Sequence, residues 1–274
     1  MSATSNGKHS GSTFTGSGIT GSVRSDGKVG ELLLDTPAKL NPLSTDTLRS
    51  IESAARWFDT HDDLRVVVVR GAGRVFSAGA ALSAFADGVR QDDPRHDSDS
   101  GWRMARAMDE MRAVTVAQIH GWCVGGGLVV AGVCDLRLAA DDARFSIPEI
   151  DLGIPLAWGG IPRLVREIGP AATKELVMTC RPFTADEALR LGFLNRVVPL
   201  ADLGAAVTEL VETLAAKPKL ALLSTKTHVN AVTESMVSTG RSWSDADCLL
   251  AGLRDPEGKA SAVAYLNRVR VGKS

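Results

Sequence analysis

The sequence predicts an α/β core followed by a helical C-terminal region. Two short β-branched runs, Leu64–Val69 and Val114–Ile119, lack alternation and read as strands buried on both faces of a parallel sheet. Each leads into glycine and other small residues before a helical pattern resumes: Gly71-Ala72-Gly73 and Ser77-Ala78-Gly79-Ala80-Ala81 after the first, Gly125-Gly126-Gly127 after the second. Past Pro199 the periodicity is almost wholly helical.

The elements follow in order. A Ser-, Thr- and Gly-rich stretch over residues 1–12 has too few apolar groups to join a core and is expected to be a flexible tail. From Phe14 the pattern is strand, Ser25-Asp26-Gly27-Lys28 is a hairpin turn, and Val29–Leu34 is the returning strand. Pro37 and Asn41-Pro42 end it. A helix over Ser44–Phe58 follows, with Ser44 or Thr45 as N-cap. The polar segment Asp87–Asp99 reads as a mobile loop, Trp102–Met111 as a helix, and Leu128–Cys134 as the helix after the glycine turn. Arg137–Ala140 and Ala143–Ser146 are short strands, and a loop from Pro148 to Gly160 leads to helices at Ile161–Ile168 and Ala171–Thr179. Thr184 with Glu187 three residues on forms a capping box for Thr184–Leu191. The C-terminal helices break at Lys217-Pro218 and at Asp255-Pro256-Glu257-Gly258. The resulting division is a tail at 1–12, a core at 13–200 and a helical region at 201–274.

Composition narrows the function. Across 274 residues, 31 Lys and Arg stand against 32 Asp and Glu, a net charge of −1, whereas nucleic-acid and anionic-membrane binders carry a basic excess. The four cysteines form no CxxC pair and no secretory apolar segment opens the chain, so a reduced, cytoplasmic protein is expected. Ala113–Cys134 lacks charged residues, but Thr115, Gln118, His120 and the glycine triplet interrupt it, which disfavours a membrane span. No His, Cys or carboxylate cluster has metal-ligand spacing.

Three segments carry possible chemistry. Ala78-Gly79-Ala80 and Gly125-Gly126-Gly127 each place glycine where a strand turns into a helix, where backbone N–H groups lack intrahelical partners. Each alone is more often a tight packing turn than a site; two facing one point would make an oxyanion hole. The third is Ser146-Ile147-Pro148-Glu149-Ile150-Asp151. Glu149 lies among apolar residues and reads either as a solvent-facing acid or as a base whose pKa burial raises. His120 reads as a packing histidine and Asp135 as a hydrogen-bonded structural acid.

Six ordered blocks resemble the enoyl-CoA hydratase/isomerase (crotonase) superfamily: Lys39–Leu43 (KLNPL), Gly71–Ala80 (GAGRVFSAGA), His120–Gly127 (HGWCVGGG), Cys134–Ala139 (CDLRLA), Ala143–Glu149 (ARFSIPE) and Leu191–Pro199 (LGFLNRVVP). The resemblance runs from about residue 14 to the C-terminus. It implies a ClpP/crotonase-like spiral of repeated ββα units, with the helical C-terminal region used for trimerisation. It also implies an acyl-CoA thioester substrate, no cofactor beyond the coenzyme A of that substrate, and a homotrimer or dimer of trimers. Carried over, the oxyanion-hole amides are those of Ala80 and Gly126, and Glu149 is the catalytic acid/base. Lys39, Leu40, Ala78, Val129 and Trp158 fall at substrate-binding positions, and Lys226 is a weaker candidate for a phosphate contact or else a solvated helix lysine.

Two departures shape the expected reaction. Hydratases of this family pair two glutamates, and the first position is Val129 here, so only Glu149 remains. Valine cannot orient water or move a proton, whereas one carboxylate can shuttle a proton between two carbons. Ala81 replaces the acid that ends the family's Ala-Gly-Ala-Asp, which alters the turn without removing an amide donor. The expected activity is therefore isomerisation in preference to hydration, with a non-catalytic acyl-CoA-binding protein as the alternative. A second acid from Asp87–Asp99 or from a neighbouring subunit would restore hydration. Trp158 reads either as a packing residue or as one that narrows the acyl pocket.

Overall fold

A computed structural model describes residues 11–81, 94–242 and 244–271. The expected tail lies outside the described residues up to residue 10, and the expected loop at 87–99 lies outside them up to residue 93.

Strands β1 (Thr13–Gly16), β2 (Ile19–Val23) and β3 (Val29–Leu34) form an antiparallel meander, its second turn at the Asp-Gly pair. β3 then pairs in parallel with β4 (Val66–Gly71), which continues through β5 (Val114–Ile119) and β7 (Leu136–Ala140) to β10 (Arg196–Val198). A second sheet joins β6 (Trp122–Val124), β8 (Arg144–Ser146) and β9 (Phe183–Thr184). Bridges Ser77↔Cys123 and Leu43↔Ala80 extend its line of pairing. Each turn of the spiral thus gives one long strand to the first sheet and one short segment to the second, then a helix.

The β-branched runs are buried on both faces, as their lack of alternation predicts. Val67, Val69, Ala117 and Ile119 join the main core with helix α1 (Thr45–Phe58). Val66, Val68, Val116 and Leu138 pack instead on Leu203, Val207 and Val211 of α7 (Leu203–Ala215). Ser44 is the N-cap of α1, its side chain accepting from the Thr47 N–H at 3.1 Å.

Two segments depart from expectation. Residues 94–98 form a short helix, α2 (Pro94–Ser98), braced by an Arg95–Asp99 pair at 2.8 Å, rather than continuing a loop. The glycine triplet is only partly a turn, because Gly126 and Gly127 are the first residues of α4 (Gly126–Gly132). The remaining helices are α3 (Ser100–Glu110), α5 (Gly160–Thr179), α6 (Ala185–Leu191), α8 (Lys219–Met236), α9 (Asp245–Arg254) and α10 (Pro256–Val271). α5 absorbs two predicted helices across a kink at Gly169-Pro170. Thr184 caps α6 by accepting from the Glu187 N–H, while the Glu187 carboxylate binds Arg181. Among the described residues no helix is long and apolar enough to cross a membrane.

Candidate active site

The site is built where the first sheet's parallel strands hand over to the second sheet. Buried Asn41 organises it. Its Nδ2 donates to the carbonyls of Ala72 at 2.8 Å, Val75 at 3.1 Å and Phe76 at 3.2 Å, and its Oδ1 accepts from the Thr36 N–H at 3.0 Å. Ser77 Oγ donates to the Asn41 carbonyl at 2.8 Å and accepts from the Gly79 N–H at 3.1 Å. The Ser77 backbone is tied to β6 through Ser77 N–H to Trp122 O, at 3.1 Å, and Val124 N–H to Ser77 O, at 3.0 Å. These bonds lay the 77–81 turn directly on the start of α4.

Gly79 shows how close that contact is. Its φ is +86°, and a Cβ there would lie 2.6 Å from the Val124 carbonyl oxygen and 3.6 Å from the Gly126 nitrogen. On either side of Ala80, Leu43 N–H donates to Gly79 O at 2.9 Å and Ala81 N–H donates to Leu43 O at 3.0 Å. Ala80's own N–H is left over, and among the described residues it has no acceptor. Gly126 N–H, at the first position of α4, has none either. Two unspent amide donors thus stand on adjoining backbone segments.

Glu149 lies beside them. The residue is 8% exposed, which rules out the solvent-facing reading. Its carboxylate packs on the Cα of Gly125: a Cβ at that glycine would meet Oε1, with Cδ at 3.2 Å. Oε2 is buried with no hydrogen-bond partner among the described residues. Burial pushes the Glu149 carboxyl up to about 7, against a smaller opposing effect of a backbone hydrogen bond. Burial also pushes up the Cys180 thiol and the Tyr265 phenol of α10.

Trp158 is half-buried, with φ at +62°. Its six-membered ring packs on Gly126, where a Cβ would lie 2.8 Å from Cη2, and its Cδ1 and Cγ pack on Gly101 of α3. The following residue, Gly159, is held on both sides. Asp245 Oδ2 accepts from the Gly159 N–H at 2.7 Å, and Arg163 Nη1 donates to the Gly159 carbonyl at 3.1 Å. Arg163 also binds Asp109 of α3 at 2.5 Å.

The other candidates divide. Leu40 (φ +65°) follows a 3₁₀ turn at Pro37–Lys39 and accepts the Ala78 N–H at 2.9 Å, so Leu40 borders the 77–81 turn through Ala78 while Lys39 is exposed. Val129 is buried, with Cγ2 3.0 Å from where a Gly160 Cβ would sit. Lys226 is not brought to the site and is not a solvated lysine. Its Nζ is bound to Asp135 Oδ2 at 2.8 Å and to the Ala113 carbonyl at 2.8 Å, inside the structure. Asp135 is the hydrogen-bonded structural acid expected, also accepting from Thr115 N–H and Oγ1. His120 Nε2 lies 2.8 Å from the Gly73 carbonyl. Of the acids in Asp87–Asp99, Asp97 binds Arg49 and Asp99 binds Arg95, while Asp87, Asp92 and Asp93 lie outside the described residues. Sequence reasoning missed Gly101 and Asp245. A lone glycine in a helical pattern signals close approach at Gly101; Asp245 carries no local signal. Among the described residues no cluster of His, Cys, Asp or Glu could hold a metal ion.

Residues 24–270 match the family model described as enoyl-CoA hydratase/isomerase. The chain is 35% identical over 218 residues to the probable enoyl-CoA hydratase echA8 of Mycobacterium tuberculosis, covering 80% of this chain and 84% of that one. It is 32% identical over 213 residues to the peroxisomal Delta(3,5)-Delta(2,4)-dienoyl-CoA isomerase of Arabidopsis thaliana, covering 73% and 77%. The solved structure of enoyl-CoA hydratase from Bacillus halodurans superposes with a TM-score of 0.82 at 23% identity, over 90% of this chain and 99% of that one, a likeness of fold.

Proposed function

The chain belongs to the enoyl-CoA hydratase/isomerase family, and on that footing we propose that it shifts the double bond of an acyl-CoA thioester with Glu149 as the one proton carrier. The observation that carries this reading is the buried Glu149 carboxyl beside two unspent amide donors, with buried Val129 at the family's other acid position.

The thioester oxygen accepts hydrogen bonds from the Ala80 and Gly126 N–H groups. Glu149 removes a proton from the carbon next to the thioester carbonyl, and the C–H electrons move toward that oxygen as an enolate. Negative charge then grows on the oxygen that both donors hold, and each such donor is worth ~10²–10³ in rate. The enolate collapses by taking the same proton at the far carbon of the three-carbon unit, so the double bond moves and no atom is gained or lost. A raised carboxyl pKa suits a group that must both take and return a proton near neutral pH. Lys39, which is exposed, Leu40 and, in the turn itself, Ala78 form the coenzyme A side of the site, Leu40 accepting the Ala78 N–H; Trp158 forms the acyl side. Coenzyme A contributes remote binding energy that holds the acyl group against the donors.

Assembly as a trimer or a dimer of trimers belongs to the same reading. It is supported by α8, which exposes Leu220, Val229, Val232 and Met236 along its length.

Mass spectrometry of 2-enoyl- and 3-enoyl-CoA thioesters incubated in D₂O tests the function, with Glu149→Gln alongside. A moved double bond with no added water and little deuterium taken from solvent, lost in the variant, is expected. Addition of one water would restore the hydratase reading. Binding with the double bond unmoved and no exchange would establish the acyl-CoA-binding alternative.

A further inference from the structure

We propose that Trp158 is the residue that sets acyl length, and that the substrate class is short-chain acyl thioesters; this builds on the acyl-CoA reading above. The indole lies across the space between α3 and α4, its five-membered ring against Gly101 and its six-membered ring against Gly126. Both contacts require glycine, because a Cβ at either position would fall inside the ring's van der Waals envelope. The ring therefore stands next to the amide that receives the thioester oxygen. An acyl chain leaving a carbonyl held there meets indole within a few carbons. The residue is half-buried, so part of its surface is open to a ligand.

The indole is fixed. A left-handed φ at tryptophan persists only where its surroundings determine it, and three helices supply them. Asp245 at the start of α9 takes the Gly159 N–H, Arg163 of α5 takes the Gly159 carbonyl, and Asp109 of α3 takes Arg163. Asp245, Arg163 and Asp109 are positioning residues acting through the peptide that follows Trp158. The C-terminal helices thereby bear on substrate choice without touching substrate.

The test measures binding of saturated butanoyl-, hexanoyl-, octanoyl- and decanoyl-CoA by calorimetry, together with turnover of 3-enoyl-CoA thioesters of the same lengths. The natural protein should bind butanoyl-CoA more tightly than octanoyl-CoA. Trp158→Ala should move the octanoyl-to-butanoyl affinity ratio by at least about tenfold toward the longer chain, since a single methylene in a fitted apolar pocket is worth ~10–200-fold. Trp158→Leu repeats the test with a smaller cavity should the alanine variant unfold. Asp245→Asn should shift the ratio in the same direction by a smaller factor; a role confined to folding would lower stability and leave the ratio alone. An unchanged ratio in folded Trp158 variants, or equal binding of all lengths by the natural protein, overturns the proposal. Length-selective binding without turnover upholds it and overturns the proposed reaction. No binding at any length overturns both.

Discussion

Replacing Glu149 with glutamine should change how stability depends on pH, and the size follows from the site. In the unfolded chain this carboxyl ionises near 4.5; in the fold, burial keeps it protonated up to about 7. Between those values the folded state holds the extra proton, so stability falls as pH rises through the window and the loss is complete above about 7. At ~1.4 kcal/mol per pH unit, a rise from 4.5 to about 7 corresponds to ~3 kcal/mol. Glutamine has no such loss. Its amide leaves buried groups imperfectly paired, at a pH-independent cost of ~1–3 kcal/mol, so the informative quantity is the change in the difference between the proteins. Urea unfolding followed by tryptophan fluorescence, at fixed protein concentration from pH 4 to 8.5, should show Glu149→Gln gaining ~3 kcal/mol on the natural protein across that range. Parallel pH profiles would refute a buried, unpaired carboxylate at this position.

The same ionisation predicts that kcat/KM for isomerisation rises with pH through about 7, as the carboxylate form appears, and that this limb vanishes with the residual activity of Glu149→Gln. Gly79→Ala, which drives a Cβ onto the Val124 carbonyl, should lower kcat by ~10²-fold or more with a smaller effect on KM, measured by steady-state kinetics. Lys226→Ala should destabilise the fold by roughly 1–3 kcal/mol, since Asp135 loses its cation but keeps both Thr115 donors, in denaturant titration, while KM for the thioester stays within about twofold of the natural protein. A large KM effect there would return Lys226 to the coenzyme A site. Gly126→Ala should be strongly impaired because its methyl meets the indole, and pairing it with Trp158→Ala should recover folding measured by circular dichroism.

The fold was legible because its signals are local. The valine runs of β4 and β5, the Asp-Gly hairpin, the Ser44 and Thr184 caps and the Pro-broken C-terminal helices all declare themselves within a few residues. The start of α4 was misplaced by two residues, since glycine's low helix propensity is overridden there by tertiary contact: Gly127 abuts Ser77 and Gly126 abuts Trp158. Glu149 was legible as a residue and ambiguous as an environment, because burial depends on packing that no heptad or alternation reports. Lys226 failed for the same reason. Its partner Asp135 is distant in sequence, and no local pattern foretells a long-range ion pair. Trp158 meets its packing reading, lying against two glycines, while its part in an acyl pocket is proposed.

One carboxylate carrying one proton between two carbons is the central claim, and a 3-enoyl-CoA deuterated at the carbon beside the thioester tests it most directly. The product should be the 2-enoyl thioester, with label recovered at the carbon two positions away and no gain of water, and Glu149→Gln should slow its formation by ~10²–10⁴. A hydrated product, or formation of the isomer at an undiminished rate in the variant, would contradict it.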